Sequence, residues 1–231
     1  MKLLILFVFL YLSSVISIPT SILKRNVKII IIDKQTPLEY RIINNNVEIN
    51  VQDKSVISIG SGFILDSNHI ITNYHVVNKT NTVILIALLD DIKRAPVIKY
   101  IATIGLFSIF DDLVLLQIKT QNNSNQASIS MPYSTNLDIG SNLYIFGFPI
   151  IGGKSITITK GILSGYIYNG RYIKTDAELN PGNSGGIVIN SGFEIVGLTT
   201  AVIHNKYNGK LGLIIPSTTL RKFIQSSYQL R

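Results

Sequence analysis

The chain has no cysteine in its 231 residues. That excludes a disulfide framework and any thiolate metal site. Whatever fold forms must be held by its apolar core alone. Histidine is nearly as scarce, with three residues, His69, His75 and His204. No metal constellation can be assembled from them and their neighbours: Asp66, His69 and His75 lack a defensible ligand geometry. No cofactor is expected. Basic runs are also missing. The formal charge is +8, from 21 basic and 13 acidic residues, but the basic residues are scattered. A dispersed excess reads as a solvated basic surface, so no nucleic-acid partner is expected. Helical periodicity is sparse, and no internal repeat is visible.

What is present is β-structure. Hydrophobic residues make up 46% of the chain, enough for a sizeable core. Short apolar or alternating runs stand between turn signals at Asn26–Asp33, Val47–Val51 and Ser55–Leu65, then in the strand ending at His75, and at Val83–Leu89, Val97–Ile104 and Asp112–Ile118. Pro37 to Asn46 holds turn residues. Gly60 and Gly62 suggest a bulge or barrel corner. The polar stretch Gln121–Gln126 reads as a linker, and further strands run from Leu143 to Ile215. Pro216-Ser217-Thr218-Thr219 opens a terminal helix whose Leu220, Phe223 and Ile224 share one face.

The N-terminus has the layout of a targeting segment. Lys2 is its positive start, Leu3–Leu12 its apolar run, and Ser13 to Ser17 its small-residue end. Residues 1–17 are expected to be a signal peptide and 18–26 a short leader. Secretion, or release into a secretory lumen, follows; an uncleaved anchor is the alternative. The apolar stretch is short for a membrane span. Asn78-Lys79-Thr80 and Asn122-Asn123-Ser124 fit the N-glycosylation pattern.

Three windows carry chemistry. In Thr175–Gly186, Ser184 lies between Gly182 and the pair Gly185-Gly186, where the backbone can turn without a Cβ in the way. A glycine-rich hairpin with an exposed serine would look the same. A serine hydroxyl needs a base, and the base an orienter. His75 closes the window Ser61–Val77, which reads as strand, turn, strand and histidine at the strand's end. Asp111 and Asp112 open an almost wholly apolar strand.

The windows SGFILDSNHIITNYHVV, DDLVLLQI and TDAELNPGNSGG resemble the His, Asp and Ser motifs of chymotrypsin-fold serine proteases, closest to the HtrA/Deg branch. GFPIIGGKSITITKGILSGY, EIVGLTTAVI and LGLIIPS resemble later strands of that branch. The resemblance covers roughly residues 27–222. It implies an all-β fold of two packed six-stranded antiparallel β-barrels with a short C-terminal helix. The protease domain would occupy 27–231, with the first barrel at about 27–120 and the second at about 130–231. No residues remain after it for a peptide-binding PDZ domain.

The same resemblance implies a serine endopeptidase acting on protein or peptide substrates through an acyl-enzyme. Ser184 would be the nucleophile, His75 the base and Asp112 the orienter, with Asp111 the alternative. The amides of Gly182 and Ser184, with the Asn183 peptide between them, would form the oxyanion hole. Asn183 stands where trypsin-like zymogens carry an aspartate, so no switch based on a new N-terminal ammonium is expected. Leu179 and Thr200-Ala201-Val202 would border the pocket for the side chain before the scissile bond, which favours modest aliphatic groups. Glu178 nearby could instead admit a basic one. The backbone of Leu198, Thr199 and Thr200 is expected to pair with substrate as an added strand. His69 and His204 are read as surface or turn residues. The rival readings are a silent binding protein or an esterase on the same scaffold.

Overall fold

The computed structural model describes residues 16–43, 46–118, 131–134, 137–151, 154–204 and 210–229. The first half contains β1 (Asn26–Asp33), β2 (Glu39–Ile43), β3 (Asn46–Asn50), β4 (Val56–Ile64), β5 (His69–Thr72), β6 (Thr82–Leu88), β7 (Val97–Ser108) and β8 (Leu113–Ile118). The second contains β9 (Asn142–Gly147), β10 (Thr157–Ile167), β11 (Tyr172–Thr175), β12 (Ile187–Asn190), β13 (Ile195–His204) and β14 (Lys210–Pro216). The described residues also form α-helices α1 (Thr20–Leu23), α2 (Tyr74–Val77) and α3 (Ser217–Gln229), with a 3-10 turn at Asp53–Ser55. Strands pair antiparallel into two closed six-stranded barrels, β1-β4-β5-β8-β7-β6 and β10-β11-β14-β13-β12-β9. The expected two-barrel architecture with its terminal helix is therefore what the chain adopts.

Period-two alternation explains why the strands are apolar on both faces. On β8, Val114, Leu116 and Ile118 fill the first barrel, while Leu113 and Leu115 face the seam between barrels. The seam also takes Phe63 and Ile71 from the first half and Tyr144, Phe146, Ile187, Ile189, Leu198 and Ile215 from the second. Leu220 and Phe223 of α3 close it. Leu143, Ile145, Leu163, Ile173, Val188, Val196 and Ile214 fill the second barrel. With no disulfide, these clusters are where the area removed from water, at about 25 cal/mol per Å², accumulates.

Several local expectations change. Within residues 18–26, read as a short leader, Thr20–Leu23 is a helical turn, and Ile22 and Leu23 are buried in the seam. Pro37–Asn46 is more than a turn, because β2 lies within it and pairs with β3. The bulge between β1 and β4 falls at Ile31/Ile32, not at the glycines. A Cβ at Gly60 would lie 2.5 Å from Val76 Cγ1, so Gly60 is bare to let α2 pack down. The linker Gln121–Gln126, the second glycosylation candidate at Asn122 and residues 1–15 lie outside the described residues. Asn78, at the C-terminal end of α2, is exposed. Among the described residues no helix is long and apolar enough to cross a membrane.

Candidate active site

The site forms where the two barrels meet. β5 ends at Thr72, and the chain turns at once into α2, so His75 sits on a single helical turn rather than at a strand's end. Asn73 stands before that turn but does not cap it. Its Nδ2 instead donates to the main-chain oxygen of Asp112 at 3.0 Å. The amide of Tyr74 donates to the same oxygen at 3.1 Å. Asp112 itself has a φ of 54°, a left-handed backbone that Asp tolerates better than most residues. The turn thereby aims its carboxylate at α2.

Both oxygens of that carboxylate are engaged. Oδ1 accepts the His75 amide at 2.9 Å, and Oδ2 lies 2.8 Å from His75 Nδ1. Oδ2 also accepts the Thr200 hydroxyl at 2.6 Å. Burial raises the Asp112 pKa, but the bonds from the His75 ring, the Thr200 hydroxyl and the His75 amide, with the charge of His75, outweigh it. The net result is a pKa below the ordinary aspartate value. The neighbouring Asp111 is turned away. Its amide donates to Ser108 Oγ and its carboxylate accepts the same hydroxyl.

Ser184 lies on the loop from β11 to β12, with Gly182 at a φ of 101° and Gly185 at 84°. Its Oγ donates to the Thr200 carbonyl at 3.2 Å. Every carbonyl from Asn180 through Ser184 has a donor. Asn183 N–H serves Asn180, Ile150 N–H serves Pro181, and Ser61 Oγ serves Gly182 at 2.6 Å. Thr199 Oγ1 serves Asn183 at 2.6 Å, and Ser61 N–H serves Ser184 at 2.8 Å. By contrast, among the described residues nothing accepts the amides of Gly182 and Ser184. The Asn183 amide is committed to the turn. Its side chain is buried.

A cavity of about 420 Å³ opens beside Ser184. Leu179, Asn180, Pro181, Asn183, Thr199, Thr200, Ala201, Val202 and Lys210 line it with Ser184. Glu178 does not. It is exposed, and its Oε1 accepts Asn180 Nδ2 at 3.0 Å. Elsewhere, the Arg171 guanidinium lies 3.7 Å from the centroid of the Phe110 ring and hydrogen-bonds to the Phe110 carbonyl. That contact ties the β10–β11 hairpin to the turn carrying Asp112.

Two expectations about this region are corrected. Leu198 is wholly buried in the seam and does not reach the cavity. Its backbone lies between Ile187 and Ile215 in the sheet. Thr199 donates its N–H to Gly186 O and accepts Gly185 N–H, so neither residue offers an open edge. The β13–β14 register shifts between Thr199 and Ala201, and the strand is free of β12 only from Thr200 onward. His69 is likewise no surface residue. It is buried at the start of β5, its Nδ1 2.7 Å from Asp66 Oδ1. His204 ends β13.

Ser61 and Thr72 were missed as site residues, and Thr199, expected only as a partner of substrate, also holds the serine loop through its hydroxyl. Thr72 Oγ1 donates to Ser61 O, and Ser61 Oγ accepts Phe148 N–H while holding Gly182. The signal was there in part: a serine between glycines within a buried strand must satisfy its hydroxyl somewhere. No group of three or more His, Cys, Asp or Glu among the described residues could hold a metal.

The two closed barrels are accompanied by a family match: the trypsin-like peptidase domain matches residues 60–198. The chain belongs to that family. Its relatives include the periplasmic serine endoprotease DegP of Escherichia coli K12, 33% identical over 180 residues, 74% of this chain and 36% of that protein. The serine protease HtrA-like of Staphylococcus haemolyticus is 29% identical over 219 residues, 85% of this chain and 32% of its own. The crystal structure of the serine endoprotease from Yersinia pestis superposes with a TM-score of 0.65 at 24% identity, over 91% of this chain and 65% of that one. The chain spans about a third of the length of these curated relatives.

Proposed function

We propose that this chain is a serine endopeptidase that cleaves peptide bonds through an acyl-enzyme. The observation that carries the reading is the chain of contacts His75–Asp112–Thr200–Ser184, in which the carboxylate accepts both the imidazole and the threonine whose carbonyl takes the serine hydroxyl. In the reaction Ser184 Oγ attacks the scissile carbonyl carbon, and His75 Nε2 takes the hydroxyl proton. Asp112 keeps Nδ1 protonated and stabilises the imidazolium. The carbonyl oxygen becomes negative and settles on the unclaimed amides of Gly182 and Ser184. His75 then gives its proton to the departing amine as the C–N bond breaks. Water, deprotonated by His75, releases the acyl group, and Ser184 regains its proton.

Ser184 Oγ resting on Thr200 rather than on His75 fits a free enzyme whose catalytic hydrogen bond forms with substrate. A substrate strand would lie along Thr200–Val202, where β13 is free of β12. Leu179, Thr199 and Thr200 border the cavity that takes the side chain before the scissile bond. Asn183 carries no charge to pair with a new N-terminus, so the loop carbonyls' donors, Ser61 above all, order the oxyanion site. The apolar Leu3–Leu12 run and the periplasmic naming of DegP support export. N-terminal sequencing of secreted protein tests cleavage near Ser17.

Labelling by a fluorophosphonate probe tests the reading. Wild type is expected to label and Ser184→Ala to remain unlabelled. Equal labelling of both, or of neither, would overturn the assignment. Digestion of a protein substrate by wild type, absent in Ser184→Ala, separates peptidase from esterase.

A further inference from the structure

Among the described residues, the cavity beside Ser184 is lined by one ionisable side chain, and it is a cation. Lys210 is the first residue of β14, and Gly212 and Ile214 follow it on the same strand face. Ile214 is buried in the second barrel. At Gly212 an added Cβ would lie 2.5 Å from Leu179 Cδ1, so Leu179 lies across a bare backbone and forms an apolar floor. Lys210 comes next, where the strand leaves the barrel, and lines the same cavity. Among the described residues Lys210 enters no ion pair. The carboxylates nearby in sequence lie outside the lining: Glu178 is exposed and accepts Asn180 Nδ2, and Asp176 is exposed and accepts the Ile162 amide.

We propose that Lys210 makes this pocket selective for an acidic side chain, Asp or Glu, at the residue before the scissile bond. The inference rests on the reading of Ser184 as nucleophile. The physical reason is an asymmetry of charge: Lys210 is exposed at the cavity's edge and puts a positive charge beside whatever side chain enters. A Glu side chain extends its methylenes over Leu179 and brings its carboxylate to the ammonium, an attraction strengthened as water leaves. A Lys or Arg side chain meets an uncompensated like charge there and no acid to accept it. The volume of about 420 Å³ exceeds what either acidic side chain needs, and exposed Lys210 has a long stem that can reach inward or out.

The test compares peptides that differ only at that position, Glu against Gln and Asp against Asn, which hold shape constant and change charge. In wild type kcat/KM for Glu is expected to exceed Gln by about tenfold or more, and the ratio to shrink as salt rises. In Lys210→Met the ratio is expected to fall to about one. In Lys210→Glu peptides with Lys are expected to overtake those with Glu. A wild-type Glu/Gln ratio near one in low salt overturns the proposal without any variant having to fold. Persistence of the preference in Lys210→Met overturns it as well. Fluorophosphonate labelling of wild type keeps the two levels apart. Labelled enzyme with no charge preference sinks the pocket assignment alone, whereas unlabelled enzyme sinks both.

Discussion

Thr200 donates its hydroxyl to the Asp112 carboxylate at 2.6 Å, across 88 residues of sequence and from one barrel to the other. The same residue accepts Ser184 Oγ through its carbonyl. It stands at the register shift of β13, so its main chain is turned out of the ladder toward the site. A carboxylate that depends on a donor from the opposite barrel is set correctly only when the two barrels are docked.

Replacing Thr200 with valine keeps the shape and removes that donor. A hydrogen bond to a charged group contributes about 1.5–3 kcal/mol, and kcat/KM is expected to fall about tenfold or more. Stability carries a separate signature. The folded Asp112 pKa is depressed, so its contribution is present above the ordinary carboxylate range and is lost as pH falls through the depressed value. Thr200→Val raises that value. The Tm gap between wild type and variant is therefore expected to be widest at neutral pH and to close in acid. A gap independent of pH would refute the charge-based account.

Asp112→Asn leaves the volume intact but cannot stabilise an imidazolium or enforce the tautomer with Nδ1 protonated. Turnover is expected to drop by about 10⁴, with the fold retained by circular dichroism. Asp111→Asn is expected to change turnover little, because that carboxylate serves Ser108. Equal losses in the two variants would mean the assignment between the neighbours is wrong.

Ser61→Ala strips one buried hydroxyl from two partners, leaving Gly182 O without its donor and Phe148 N–H without its acceptor. Each orphaned buried group costs about 1–3 kcal/mol. Denaturant unfolding should show a loss in that range. Hydrolysis should slow through kcat rather than KM, since the loop bearing the Gly182 and Ser184 amides loosens. A change in KM alone would point to a pocket effect instead.

Gly186→Ala tests how closely the serine loop approaches the sheet. A Cβ there collides with the Phe146 carbonyl, a backbone group that cannot swing aside. The loss is expected to exceed about 3 kcal/mol, visible as a large fall in Tm or as insoluble protein. Gly170→Ala is the control for space. That glycine has nothing within 4 Å of an added Cβ, although its φ of 84° retains a backbone cost. It should lose about 1–2 kcal/mol.

The three motif windows were legible because each pairs a local turn signal with a chemical residue at an element's edge. Asx-type turns, glycines before and after Ser184, and the Asp-Asp step into β8 all act over a few residues. The alternation on β1 and β8 was harder to read. Both faces of these strands are buried, one in a barrel and one against a second cluster, so the runs are nearly continuous and carry no inside-out label. β2 was hidden by Pro37 and Leu38, turn-like in composition, although Glu39–Ile43 pairs fully with β3. His69 looked like a turn residue because it follows Asp66-Ser67-Asn68. Its burial depends on Asp66 folding back to accept it.

By itself the sequence determined that this is a cysteine-free, two-barrel peptidase-family chain, and it singled out His75, Ser184 and Asp112, with Asp111 as the alternative. Hydrophobic alternation and turn chemistry are local, and such information survives in one dimension. Only the tertiary structure decided that Asp112 rather than Asp111 meets His75, that Thr200 joins the two barrels, and that the serine pocket holds Lys210 instead of Glu178. Those outcomes depend on directions of side chains brought together from distant strands. Barrel closure and docking set those directions, and no window of the chain encodes them alone.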